Sequence, residues 1–274
     1  MLADGTLRAR VHVTETRNEK SGYAASFSDD AAAARYDDQY RPGTFDSHVH
    51  ELQVDWLRRL CRRYFAEPPI HVDFACGTGR IIEALQREVR ASIGYDVSEA
   101  MLNRARRRCP NARFVKLPDG GPIDPVAVDG PVLATMFRLI LNAEPETRDS
   151  GCRFIAETIS AHPGSIAVVN NHGNSRSLRH LARFRRRRTE WFNELSDAEA
   201  RQLFARHGLE VVETFGVGHL TPRAYRTPAW LRSQVERINA LLSGRFLAGF
   251  AADICYVLRA QSTDRPSAAN GLGR

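Results

Sequence analysis

The sequence predicts an α/β fold, a mostly parallel sheet with helices on both faces. Three observations carry this expectation. Short apolar runs alternate with segments of helical period from residue 70 to about residue 170. A glycine turn, Cys76-Gly77-Thr78-Gly79, follows the first of those runs directly. The 274 residues, 43% hydrophobic and 26% charged, suffice for one large domain with insertions whose core needs no disulfide or metal staple. Strands that alternate with helices pair in parallel, and the helices cover both faces of the sheet.

Each element has its own signal. Asp29-Asp30 followed by Ala31–Ala34, Arg35 and Tyr36 opens a helix, with acids in the first turn and strong helix formers after it. Pro42-Gly43 breaks it. Residues 46–64 set Val49, Leu52, Val54, Trp56, Leu57, Leu60 and Cys61 largely on one helical face, and Pro68-Pro69 ends that helix. Ile70–Phe74 is a buried strand, the turn follows, and 80–90 is a helix through Ile81, Ile82, Leu85 and Val89. Strand 91–95, helix 98–108 with Ser98 as N-cap and strand 113–116 come next. After a Pro/Gly/Asp loop at 118–125, strand 131–137, helix 147–162 and strand 165–170 complete the alternation.

Beyond residue 172 the rhythm breaks. Residues 175–193 form a basic insertion. Ser196-Asp-Ala-Glu199 is a capping box for a helix that stops at Gly208. Leu209–Val217 reads as a strand, 218–249 as a mixed loop and helix excursion, and Ile254–Leu258 as the last strand. Residues 1–28 are expected to be a flexible arm and 261–274 a disordered tail.

No apolar run approaches the ~18 residues of a membrane span, and the first residues lack a signal-peptide stretch, so a cytoplasmic protein is expected. The net charge is +7 and almost all positive charge is Arg, the only lysines being Lys20 and Lys116. Codon bias accounts for such a composition; a phosphate or carboxylate partner is the functional alternative. The five cysteines are scattered without a C-x-x-C, which reads as buried thiols in a reducing compartment.

The chemistry lies in Asp73-Phe74-Ala75-Cys76-Gly77-Thr78-Gly79-Arg80. A glycine turn after a buried strand lets a ligand approach the backbone, and the next helix points free N–H groups at it. Asp96, seventeen residues past Gly79 at the end of the second strand, can accept the hydroxyls of a ribose. A nicotinamide site wants G-x-G-x-x-G, but Ile82 stands where the third glycine belongs. Asp73 would repel a diphosphate and attract an amino group. An adenosine with an amino-acid tail, as in S-adenosylmethionine (SAM), fits better.

This run resembles motif I of the class I SAM-dependent methyltransferases, and Gly94-Tyr95-Asp96-Val97-Ser98-Glu99-Ala100-Met101 resembles their ribose motif. Met136–Asn142 is similar to the strand-four region of bacterial small-molecule members. Fold-level resemblance spans roughly residues 30–260; the specific motifs lie within about 70–172. The resemblance implies a three-layer Rossmann-like fold, with a seven-stranded mostly parallel sheet whose last strand is antiparallel. It implies a domain over 29–260, with an N-terminal helical lid at 29–69 and cap insertions at 173–195 and 218–250. Asp73 would hold the methionine end, with Ala75, Cys76, Gly77 and Gly79 lining the tail. Asp96 would bind the ribose, Val97 and Met101 would flank the adenine, and Asp119 is the nearest acid for the adenine amino group, although Leu117-Pro118 intervenes. Phe137 and Arg138 would lie beside the methionine or the acceptor. Tyr36 and Tyr40 would sit on the lid, packing being the competing role. His172, after strand five, is the candidate base or acceptor contact, with His219 a weaker one.

His48-x-His50-Glu51 does not make a metal site, because residues two apart on a helix do not share a face. Arg176, Arg179, Arg183 and Arg185–Arg188 have no acid between them. A solvated helix, a grip on an anionic acceptor, an anionic membrane surface and RNA all suit such a stretch. RNA is disfavoured because only Phe184 and Trp191 are at hand for stacking. The expected reaction is methyl transfer from SAM to O or N of a small molecule such as a secondary metabolite, sugar-like compound or glycolipid, leaving S-adenosylhomocysteine (SAH). An RNA methyltransferase using Arg176–Arg188, a nicotinamide oxidoreductase and a non-catalytic SAM-binding protein are the alternatives. The sequence leaves the oligomeric state open, a homodimer included.

Overall fold

The structure is a computed structural model that describes residues 29–118, 123, 127–177, 180, 194–219, 231, 234, 237, 238, 241, 242 and 247–261. Among the described residues the elements run α1 (Asp30–Asp38), α2 (Phe45–Tyr64), β1 (Ile70–Phe74), α3 (Arg80–Leu85), β2 (Ala91–Asp96), α4 (Glu99–Arg108), β3 (Arg113–Lys116), β4 (Val132–Met136), α5 (Pro145–Ser160), β5 (Ile166–Asn171), α6 (Asp197–Arg206), β6 (Leu209–Val217), a 3-10 turn (Ala248–Phe250) and β7 (Asp253–Ala260). The expected arm 1–28, most of the basic stretch 175–193, most of 218–249 and the tail from 262 lie outside the described residues. No described helix is long and apolar enough to cross a membrane.

The seven strands form one sheet in the order β3-β2-β1-β4-β5-β7-β6. β1 pairs in parallel with both β2 and β4, and β7 runs antiparallel to β5 and β6. After β3 the chain returns to the far side of β1, so the crevice between β1 and β4 is the switch point at which open α/β sheets bind ligands. All five residues of β1 and of β4 are buried, as strands covered on both faces must be.

Two apolar layers hold the sheet. One joins Val72, Phe74, Met136, Phe154, Ile155, Phe204 and Tyr256. The other joins Trp56, Leu57, Leu60, Leu133, Val168 and Val257. The stripe read on 46–64 is therefore a core layer: α2 starts where Thr44 accepts the Ser47 amide at 3.0 Å, and Trp56 stacks on Phe215 with centroids 4.9 Å apart. Of segment 29–69, α1 is the part laid against the glycine turn, as shown below.

Several boundaries differ from the sequence expectation. α3 ends at Leu85 instead of 90, because the Arg90 amide donates to Pro69 O at 2.9 Å and draws the chain back to the sheet. β4 stops at Met136 because Arg138 takes a φ of 65°. β7 spans 253–260, longer than 254–258, because β6 is nine residues long and pairs along nearly all of it.

Gly79 is held by two constraints. Its φ is +77°, and an added Cβ would lie 3.1 Å from Ala105 Cβ on α4. Gly208 has a similar φ of +69° with nothing within 4 Å. Gly79→Ala is expected to cost about 1–3 kcal/mol through strain plus overpacking, roughly 3–10 °C in melting temperature. Gly208→Ala should lose less, through strain alone. Thermal melts of the two variants check this; equal losses would show that the contact with α4 contributes nothing.

Candidate active site

The turn after β1 puts alternate residues in the left-handed region: Ala75 at φ 56°, Gly77 at 55° and Gly79 at 77°. Ala75 carries a Cβ there, a strain of about 1–2 kcal/mol held by the elements on either side. The turn is fixed to β2 by two bonds. The Cys76 amide donates to Tyr95 O at 2.9 Å, and the Gly77 amide donates to Asp96 Oδ2 at 2.8 Å. Asp96 Oδ1 accepts the Ser98 amide at 2.9 Å. One carboxylate thus ties the glycine turn to the entry of α4. Burial raises its pKa above the usual carboxylate range, against the lowering pull of these amides.

Among the described residues the space above the turn is open. An added Cβ on Gly77 would meet only Tyr36 Cε1, at 3.9 Å. Tyr36 comes from α1, which Asp37 pins in place: Thr78 Oγ1 donates to Asp37 Oδ1 at 2.7 Å, Arg108 reaches the same oxygen at 3.1 Å and Arg104 reaches Oδ2 at 3.4 Å. Arg108 also donates to Thr78 O at 2.8 Å, so α1, the turn and α4 form one braced unit.

A second, more deeply buried group lies at the ends of β1, β4 and β5. The Arg80 guanidinium sits 3.9 Å from the Tyr40 ring centroid and donates to His50 Nδ1. Burial, then Arg80, drive the His50 pKa down to about 2, so the imidazole is a neutral acceptor. Arg138 lies 5.8 Å from the same ring and 3.2 Å from Asp46 Oδ1. Its amide donates to Asn170 Oδ1 at 2.6 Å, and Asn170 Nδ2 reaches both oxygens of Asp253 at 3.0 and 3.1 Å. Burial raises the Tyr40 and Asp253 pKa values. The Nε atoms of Arg80 and Arg138 are buried without a hydrogen-bond partner among the described residues. A guanidinium in this state favours an incoming carboxylate or phosphate.

The structure brings Tyr36, Asp73, Ala75, Gly77, Gly79, Asp96 and Arg138 to this edge of the sheet. Cys76 contributes backbone: its side chain packs with Ile82, Leu102 and Cys109 beneath the turn. Met101 is buried on the first turn of α4, and Val97 is partly buried against the main core. The Phe137 side chain packs in the layer under α2. His172 is buried just after β5, with Asn142 Nδ2 3.4 Å from its Nε2; the same Nδ2 donates to Arg138 O at 2.9 Å. His219 is buried just past β6, with Nε2 3.1 Å from Leu247 O. Asp119 lies outside the described residues. Sequence reasoning did not single out Arg80, Asp37, Asp46, Asn170 or Asp253. Only Arg80 had a local signal, its place in the turn motif.

Residues 72–119 match the model of a family described as "Methyltransferase domain". No curated protein matches the chain. Among solved structures it is similar to a SAM-dependent methyltransferase from Thermotoga maritima, with 15% identity, a TM-score of 0.58, and coverage of 86% of this chain and 99% of that one. It is similar to the magnesium protoporphyrin IX methyltransferase of Synechocystis with bound SAH, at 15% identity and TM-score 0.54 over 87% of this chain and 97% of that one. A third similar chain is from a complex with the Haloferax volcanii Trm112 methyltransferase activator; identity is 21% and TM-score 0.57 over 87% of this chain and 97% of that one. Residues 72–119 thus carry the methyltransferase-domain match, and the fold around them is one that SAM-dependent methyltransferases share. At these identities the structural likeness is one of fold.

Within the matched stretch Asp73 is fully buried, and burial raises its pKa to about 7, partly offset by a Thr135 hydrogen bond and by Arg80. The sign follows from the ordinary value of 3.8. The folded state holds this proton more tightly than the unfolded one, so Asp73 stabilises below about pH 4 and the contribution is lost as pH rises to about 7. Asp73→Asn does not titrate. Its melting temperature relative to wild type should therefore rise by several degrees between about pH 4 and pH 8. Thermal melts across that range test this, and parallel curves would refute it.

Proposed function

We propose that the chain transfers a methyl group from SAM to an oxygen or nitrogen of a small-molecule acceptor, leaving SAH. The observation that carries this reading is the acid–glycine turn–acid arrangement of Asp73, Gly77 and Asp96 beneath Tyr36. The groups present suit the cofactor. Asp73 Oδ2 has no hydrogen bond among the described residues and would take the ammonium of the methionine end. The Asp96 carboxylate spends one lone pair of each oxygen on amides, and its remaining lone pairs would accept the ribose hydroxyls. The open face of Gly77 admits close approach to the backbone, Tyr36 would cover it, and Val97 and Met101 would border the adenine. Ile82, packed with Cys76 and Leu102, fills the place where a dinucleotide site needs glycine for a closely approaching helix.

SAM supplies an already activated methyl on a sulfonium, so the chain's work is alignment and water exclusion. The acceptor lone pair forms a bond to the methyl carbon while the carbon–sulfur bond breaks and its electron pair goes to sulfur. Arg138 would hold an anionic group of the acceptor, and His172 would take the proton lost from a hydroxyl or ammonium acceptor. The recessed position of Arg138 and Tyr40, both partly buried, beside the buried Asn170 favours a small acceptor, of the secondary metabolite, sugar-like or glycolipid kind, over an RNA.

Calorimetric titration with SAH tests the cofactor assignment. Wild type should bind in the ~micromolar range. Asp96→Ala should weaken binding at least tenfold, and NAD should not bind. No SAH binding, or NAD binding in its place, would refute the proposal.

A further inference from the structure

The glycine turn does not explain how a buried carboxylate is kept ready to meet a cation. Asp73 is flanked by two polar side chains on the same face of the sheet. Thr135 is its register partner on β4, and His71 stands two residues before it on β1. Thr135 Oγ1 lies 2.6 Å from Asp73 Oδ1, and His71 Nε2 lies 2.8 Å from Thr135 Oγ1. All three are fully buried, in an otherwise apolar stretch of sheet.

The bonds of this chain can run in one of two directions. In one, His71 Nε2–H donates to Thr135 Oγ1, and the hydroxyl donates to Asp73 Oδ1, with Asp73 either ionised or carrying its proton on Oδ2. In the other every bond is reversed: a protonated Asp73 donates to Thr135, the hydroxyl donates to Nε2, and the imidazole proton sits on Nδ1. His71 Nδ1 is buried with no partner among the described residues. An orphaned buried N–H is rarer in folded proteins than an under-used acceptor, so the second arrangement is the worse one. Burial drives the His71 pKa down to about 3, which keeps the ring neutral and limited to these two tautomers.

We propose that His71 and Thr135 form a directional relay that holds Asp73 as a hydrogen-bond acceptor for the cofactor's ammonium, and that cofactor binding is coupled to release of the Asp73 proton. This rests on the SAM reading above and adds two positioning residues to it. The charged groups facing Asp73 are Arg80 from α3, which favours its ionised form, and Asp96 from β2, which opposes it. With its pKa near 7 in the free protein, Asp73 is partly protonated at neutral pH. An arriving ammonium would draw it to the ionised form, and the relay would then run in its preferred direction.

The test is SAH calorimetry on the full chain from about pH 6 to pH 8, in two buffers of different ionisation enthalpy so that protons are counted. Wild type should release protons on binding, most steeply near pH 7. Thr135→Val removes the bond that lowers the Asp73 pKa. It should weaken SAH binding about tenfold at pH 7, equivalent to about one pKa unit, and move the pH midpoint upward. Thr135→Ser should restore both. His71→Leu should shift the midpoint the same way, whereas His71→Gln, with an amide N–H to offer Thr135, should stay near wild type. Wild type that binds SAH without proton release overturns the relay, even if Thr135→Val fails to fold. Thr135→Val with wild-type affinity and pH profile also overturns it. A wild type that binds no SAH overturns the cofactor reading and the relay with it.

Discussion

Everything at the binding edge depends on one carboxylate, that of Asp96, bonded to the amides of Gly77 and Ser98. Those amides begin two different structures, the glycine turn and α4. A backbone N–H at a tight turn or helix start has no partner of its own, and a carboxylate satisfies such donors with charge-assisted strength. The ends of β1 and β2 are locked together in this way, and Ala75 is held in a conformation it would not choose. Gly79 then lets α4 approach so closely that its Ala105 leaves no room for a methyl group. Distances across the cleft follow from that approach. α1 docks, through Asp37, onto a surface that Thr78, Arg104 and Arg108 provide only when the turn and α4 are in register.

Much of the sheet is legible in the sequence. Ile70–Phe74, Arg113–Lys116 and Leu209–Val217 are strands with the bounds that their apolar runs and turn signals predict. Ser98 and Ser196 cap the helices that follow them. The misjudged ends have a common cause. α3 and β4 stop where a tertiary hydrogen bond or a left-handed residue intervenes, and no periodicity reports either. The candidate site divides in the same way. Asp73, Gly77, Gly79 and Asp96 are visible because the geometry that joins them is local: a strand, a turn and the next strand in a βαβ unit. Thr135, Asn170 and Asp253 lie from about 60 to 180 residues away and meet the site through strand register alone. Asp37 looked like one acid among several on a short helix, and its three donors come from elsewhere in the chain.

The cleft gathers ionic side chains that the fold itself does not need. Arg80, Asp73 and Asp253 are buried and Arg138 is partly buried. Arg138 has a carboxylate at hand, whereas Arg80 leans on a neutral imidazole and an aromatic face. Burying such groups costs stability unless each is matched, and a core of hydrophobic residues would be cheaper. Charges of both signs alternate along the cleft, with Asp46 and Asp253 near Arg138 and Arg80 near Asp73. A ligand that carries both charges would meet partners of both signs in such a cleft.

β7 enters the sheet between β5 and β6 and runs against both. β6 therefore precedes β7 in the chain yet, among the described residues, has no other strand to pair with. During synthesis it must wait as an unpaired ribbon until Asp253–Ala260 arrives. The same late strand delivers Asp253 to Asn170, beside Arg138, from its first residue. Closure of the sheet and completion of the charged cleft are thus a single late event, and a nascent chain has the turn and its two acids well before it has an intact catalytic edge.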